Sequence, residues 1–248
     1  MNPIPIYLKT DADLPRPVEP EFYLITADGT YLCRNHPFFI SDVPARQAPR
    51  SLLPHQASCS VRFPKLGTAG LEYVVGFFDR IHQEHGAESI AILLWDQRRR
   101  RYRIHVPKQE ATVWEATGGR RTALDVSYEL PLPLPRDHLL VADIHCHCDF
   151  SADASYTDRR DERFRDGVHA IVGEIDREPP QFRLELSIDG ARFLMRFDQL
   201  FRGYRQRRNC VPEAWLKSVS VQTKRPQPRN DFRPADRHNA SWSKGWKA

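Results

Sequence analysis

Long apolar runs are missing from this chain of 248 residues: no stretch approaches the about 20 apolar residues that a bilayer span needs. The start, Met1-Asn2-Pro3-Ile4-Pro5, has no basic region leading into an apolar one, so neither a membrane anchor nor a secretory leader is expected. Cysteine is scarce as well. The five, at positions 33, 59, 146, 148 and 210, are odd in number and hold no C-x-x-C spacing, which argues against a disulfide framework and fits a reducing compartment. The expectation is a cytoplasmic protein without membrane contact. Proline, by contrast, is plentiful at 20 residues, concentrated toward the two ends, so the centre is expected to carry the fold.

The net charge of +5 is unevenly spread. From Arg202 to Ala248 there are 12 basic and 3 acidic residues, and the remainder of the chain is slightly acidic. A basic segment of this kind is usually solubilising and disordered, yet it can also bind nucleic acid electrostatically.

Residues 1 to 66 read as a proline-rich N-terminal extension with a strand or two. Residues 67 to 201 read as an α+β domain. Within it, Leu71, Val74, Val75, Phe78 and Ile81 recur at steps of three and four and are followed by Gly86, which predicts an amphipathic helix over 68 to 85. Strands are predicted at 89 to 95, 102 to 106, 123 to 129, 139 to 145, 168 to 172 and 182 to 188, the last turning at Asp189-Gly190 into 192 to 196. Residues 202 to 248 read as a basic, largely disordered tail, apart from a short helix that 211 to 216 can form.

Residues 143 to 148 read Asp-Ile-His-Cys-His-Cys, four metal-ligand types in the last four positions. A strand alternates its faces, so Asp143, His145 and His147 point one way and Ile144, Cys146 and Cys148 the other. The cysteines are then small core residues, while two imidazoles projecting together make half of a zinc site. Asp143 shares the histidine face and can orient an imidazole or bond within the core.

After seven intervening residues His147 is followed by Ser155 and, three further on, Asp158, which completes H-x-H-x7-S-x-x-D. This string resembles the signature of the JAB/MPN/JAMM metallopeptidases, and Glu88, placed between the first helix and a buried strand, resembles that family's catalytic glutamate. The resemblance covers about residues 67 to 200 and implies an MPN/JAMM mixed sheet, similar to cytidine deaminase, flanked by helices. It implies Zn2+ held by His145, His147 and Asp158, with Glu88 as general base and Ser155 as oxyanion donor. Ala91 and Trp95 depart from the family's pattern, standing where it usually has glycines, with Glu84 and Glu110 as alternative bases. A narrower resemblance in layout is to the branch of the family found in bacterial PRTRC cassettes. It implies a small ubiquitin-like protein as substrate and a ThiF/E1-like protein as partner, hence cleavage of an amide or isopeptide bond.

Two other functions are open at this point: a catalytically weak MPN scaffold that only binds such partners, and a nucleic-acid-associated protein acting through its basic tail. Asp143-Ile144-His145-Cys146-His147 also fits the D-x-H-x-H opening of a phosphoesterase barrel. Too little chain follows it for a barrel of about 200 or more residues.

Overall fold

The computed structural model describes residues 4–49, 52–162 and 165–225. The chain divides into two compact units, Met1–Ser58 and Cys59–Ala248.

In the first unit the prolines frame strands and do not interrupt them. β1 (Ile6–Leu8), β2 (Glu21–Thr26), β3 (Gly29–His36) and β4 (Phe39–Pro44) form one sheet in that order, with β1 parallel to β2 and the others antiparallel. Pro5 and Pro20 precede β1 and β2, Pro37 lies in the β3/β4 turn and Pro44 ends β4, which are the sheet positions where a missing N–H costs least. Phe22 and Cys33 are fully buried. The extension is therefore a four-stranded module, more ordered than the expected strand or two.

The second unit begins upstream of residue 67. Leu66 donates to Leu200 O at 2.8 Å and accepts from Arg202 N at 2.9 Å, stitching the entry to the end of the predicted domain. α1 (Thr68–His85) follows its apolar stripe, and Gly86 ends it in the left-handed conformation at φ 64°, its N–H on His82 O. β5 (Ile90–Asp96), β6 (Arg101–His105), β9 (His138–Cys146), β10 (Gly167–Gly173), β11 (Gln181–Ile188) and β12 (Ala191–Met195) make a six-stranded mixed sheet, in the order β12-β11-β10-β9-β5-β6. β9 and β10 are parallel, and β5 runs antiparallel to β9. This is an open sheet, not a βα barrel.

Its two faces differ. Ala91, Leu93, Ala142, Ile144, Cys146, Ala170 and Val172 join the buried residues of α1 in the main core. On the other face Ile90, Ile92 and Leu94 meet Tyr128, Leu130 and Leu134 in a small apolar cluster. Beside them a row of Asp143, His169 and Glu185 crosses three strands as mutual Cα partners. The predicted helix face and strand alternation place these side chains as expected.

A second, three-stranded sheet holds β13 (Val219–Lys224), β7 (Gln109–Glu115) and β8 (Arg121–Tyr128), with β13 parallel to β7. The first part of the expected tail is therefore ordered. α3 (Glu213–Leu216) sets Trp215 edge-on to Phe77 at 5.9 Å. Arg207 reaches Asp79 at 2.6 Å and Arg208 reaches Glu72 at 2.7 Å, so part of the basic excess neutralises carboxylates of α1. Residues 226 to 248, the rest of the expected disordered tail, lie outside the described residues. Among the described residues no helix is long and apolar enough to cross a membrane.

Candidate metal centre

The centre forms where β9 ends beside the start of β5. Ile90 and His145 are Cα partners, and Cys146 N donates to Ser89 O at 3.0 Å, which carries the ladder one step past the strand. The next step sets Glu88 against His147 on the same face of the sheet. The side-chain amide of Gln109 pins this edge, accepting from Ile90 N at 2.8 Å and donating to Ile90 O at 3.0 Å. Sequence reasoning did not find Gln109; its position at the start of an alternating run was the available signal.

Asp158 arrives from the connection between β9 and β10. It lies in α2 (Tyr156–Asp161), whose N-cap is Ser155. Ser155 Oγ accepts from Asp158 N at 3.1 Å, and Asp158 Oδ2 accepts from Ser155 N at 2.6 Å. S-x-x-D is thus also a capping box, and the cap aims the aspartate. His147 Nε2 lies 3.0 Å from His145 Nε2 and 3.3 Å from Asp158 Oδ2, while His145 Nε2 lies 3.5 Å from Asp158 Oδ1.

Two imidazole nitrogens and a carboxylate at these spacings fit one small cation. Zn–N bonds of about 2.0–2.1 Å at a tetrahedral angle put ligand atoms about 3.3 Å apart. The donor set of two imidazoles and one carboxylate suits a divalent transition metal, zinc among them, and three protein ligands leave a coordination position for water or substrate. His147 Nδ1 faces Ser151 O at 3.1 Å, which favours a proton on Nδ1 and turns Nε2 toward His145 and Asp158, where a metal would have to displace the proton that Nε2 shares with Asp158.

Electrostatics agree with this reading. Burial brings the His145 pKa down to about 4, so its imidazole is neutral at pH 7 and free to ligate. For Asp158, burial is outweighed by the hydrogen bond from His147, by His145 and by the Ser155 contacts, which hold the carboxyl well below its usual range. His147 is raised, because its bond to Asp158 and the nearby Glu88 overcome desolvation. Burial pushes Glu88 up to about 7, with His147 opposing and Asp158 and Asp125 adding to the shift. A carboxyl poised near neutrality is suited to take up and release a proton.

The cleft in front of these groups encloses about 560 Å3 and is lined by Glu88, His147, Ser155, Asp158, Asp125 and Phe150. All five site residues expected from sequence are thereby gathered: three as potential ligands, with Glu88 and Ser155 on the cleft wall. Glu84 and Glu110 are not among the cleft residues; Glu84 pairs with Arg80 on the exposed side of α1, and Glu110 is exposed on β7. Cys146 and Cys148 are buried in the main core.

Asp143 bonds within the core, accepting on Oδ2 from Arg165 at 2.6 Å and from His169 at 2.8 Å. Glu162, Arg192 and Glu185 continue this network, with Arg192 bridging the two glutamates at 2.8 Å each. Sequence reasoning missed that network, since its members come from four separate segments. No protein-family model matches this chain, and no curated protein sequence matches it either.

Proposed function

We propose that the chain is a zinc-dependent peptidase of the JAB/MPN/JAMM type that hydrolyses an amide or isopeptide bond at the C-terminus of a ubiquitin-like protein. The observation that carries this reading is the convergence of His145 Nε2, His147 Nε2 and an Asp158 carboxylate within 3.5 Å of one another, with Glu88 beside them in one cleft. The open six-stranded mixed sheet with α1 on one face is compatible with an MPN fold. The layout, with this domain following a proline-rich module, resembles PRTRC system protein A, and a ThiF/E1-like partner follows from that resemblance.

His145, His147 and Asp158 would hold the ion, which supplies Lewis acidity that acidifies water and polarises the scissile carbonyl. The chain's own residues do the rest. Glu88 takes the proton of the attacking water on its carboxylate and passes it to the leaving amine. Ser155 Oγ accepts the cap bond from Asp158 N, and its hydroxyl proton, turned toward the Asp158 carboxylate in the resting chain, would rotate to the developing oxyanion. Phe150, 55% exposed, and Leu124, 50% exposed, flank the mouth of the cleft with apolar surface for an extended chain end.

The test is cleavage of a ubiquitin-like protein carrying a C-terminal fusion. Wild type is expected to release the fused segment, and Glu88→Ala to bind zinc without cleaving. Zinc binding without any cleavage by wild type would instead favour a partner-binding scaffold.

A further inference from the structure

The two histidines of the centre are held differently. His147 Nδ1 has a direct partner in Ser151 O at 3.1 Å. His145 turns Nε2 toward His147 and Asp158, and its Nδ1 toward Asp143, whose Oδ1 is 4.0 Å away. That is too far for a direct hydrogen bond. The Asp143 side chain is 5% exposed, and although Oδ2 holds Arg165 and His169, Oδ1 has no protein partner. An ionised carboxylate oxygen left bare in a buried site is costly, so something polar must meet it.

Next to this oxygen is a cavity of about 80 Å3, lined by Asp143, His145, Tyr128, Glu162 and Arg165. Arg165 also keeps its buried Nε without a protein partner. A water needs about 10–15 Å3 and two or more polar partners, and this cavity offers both.

We propose that Asp143 is the positioning residue of His145, acting through water held in this cavity. His145 Nδ1–H donates to the water, the water donates to Asp143 Oδ1, and Nε2 is thereby fixed as the metal-binding nitrogen. Two hydrogen bonds of about 2.8 Å span the 4.0 Å gap through a bent bridge. Asp143 suits the task because β9 fixes its backbone, and Arg165 and His169 fix its carboxylate. The inference rests on the zinc reading of the same centre.

A second cation is the competing occupant, since Asp143, His145 and Glu162 bring ligand-type atoms within 4.8 Å of one another. Charge decides against it. Arg165 lies 2.6 Å from Asp143 and Arg192 lies 2.8 Å from Glu162, so both carboxylates are already paired and a divalent ion would meet no net negative charge.

The experiment is nitrogen NMR of the full chain with 15N-labelled histidine, with and without zinc, alongside zinc titration against a competing chelator for wild type and Asp143→Asn. In wild type, His145 is expected as the Nδ1–H form in both states, with a slowly exchanging Nδ1 proton. In Asp143→Asn that preference is lost and zinc affinity falls 10- to 100-fold. Unchanged affinity and tautomer in the variant overturn the proposal, as does a wild-type His145 protonated on Nε2 or ligating through Nδ1. Two zinc ions per wild-type chain, falling to one in Asp143→Asn, also overturn it and assign the cavity to a cation. If wild type binds no zinc, the peptidase reading fails, and the His145 tautomer in the zinc-free chain still decides the role of Asp143. That wild-type spectrum also decides it should the variant fail to fold.

Discussion

Glu88 and His147 share one cleft at the end of the β5/β9 ladder, each one residue beyond the bond from Cys146 N to Ser89 O. The pairing that builds the sheet therefore also brings the proposed base close to the candidate ligands. Because β5 and β9 are antiparallel, the start of one strand meets the end of the other, and no long loop is needed to bring them together.

Glu88→Gln removes the proposed base and keeps the shape. Turnover on a fused ubiquitin-like substrate should fall about 10²- to 10⁴-fold, the usual range for a positioned base. Metal analysis of the same sample should show zinc retained, because Glu88 is not among the grouped ligand atoms. Loss of zinc in this variant would move Glu88 into the ligand set.

Ser155→Ala should have two separable effects. It removes the N-cap of α2, at a cost of about 1 kcal/mol, which corresponds to a drop of roughly 2–4 °C in Tm. It also frees Asp158 from its cap, so zinc affinity should fall along with turnover. Ser155→Thr retains the capping oxygen and should recover Tm and affinity; calorimetry and chelator competition report the two.

Gly173→Ala tests the loop that carries Ser151. A Cβ at 173 would stand 2.3 Å from Ala152 N and 2.5 Å from Phe150 O, and backbone atoms cannot yield as a side-chain tip can. The expected cost is about 1–3 kcal/mol by thermal or denaturant unfolding. Displacing this loop moves the carbonyl that orients His147, so zinc affinity should weaken too.

Much of the second unit was legible because its elements repeat simple periods. α1 follows a 3.6-residue stripe to Gly86, and β9 alternates polar His145 with buried Ile144 and Cys146. β7 was missed because its inward face opens with Gln109, whose amide is committed to the backbone of Ile90. β13 was missed because only Val219 and Val221 mark its alternation in a basic, polar stretch, and its partner β7 is distant in sequence. The prolines of the first unit looked like interruptions, whereas they sit at strand ends and turns. At the centre, the spacing H-x-H-x7-S-x-x-D was legible because all four residues are close in the chain. The support from Arg165, His169, Glu162 and Arg192 was not, since it depends on strand pairing across the sheet.

Glu185 gives a prediction with a defined pH sign. Burial acts to raise its pKa, but Arg183 and Arg192, each 2.8 Å away, outweigh it and leave the carboxyl below its ordinary value. A lowered folded-state pKa contributes stability above the unfolded value of about 4.3, and that stability is lost as pH falls through the folded value. Glu185→Gln should therefore melt below wild type at pH 7, and the gap should close in acid. A gap that stays constant from pH 7 to pH 3 would show that the ion pairs contribute nothing.

The proposed zinc centre is tested most directly by metal content. Purified wild-type protein, exchanged into metal-free buffer after equilibration with zinc, is expected to hold one zinc ion per chain. His145→Ala and Asp158→Ala, folded by circular dichroism, are each expected to hold well under one. Wild type without zinc, or both variants with a full complement, would contradict the account.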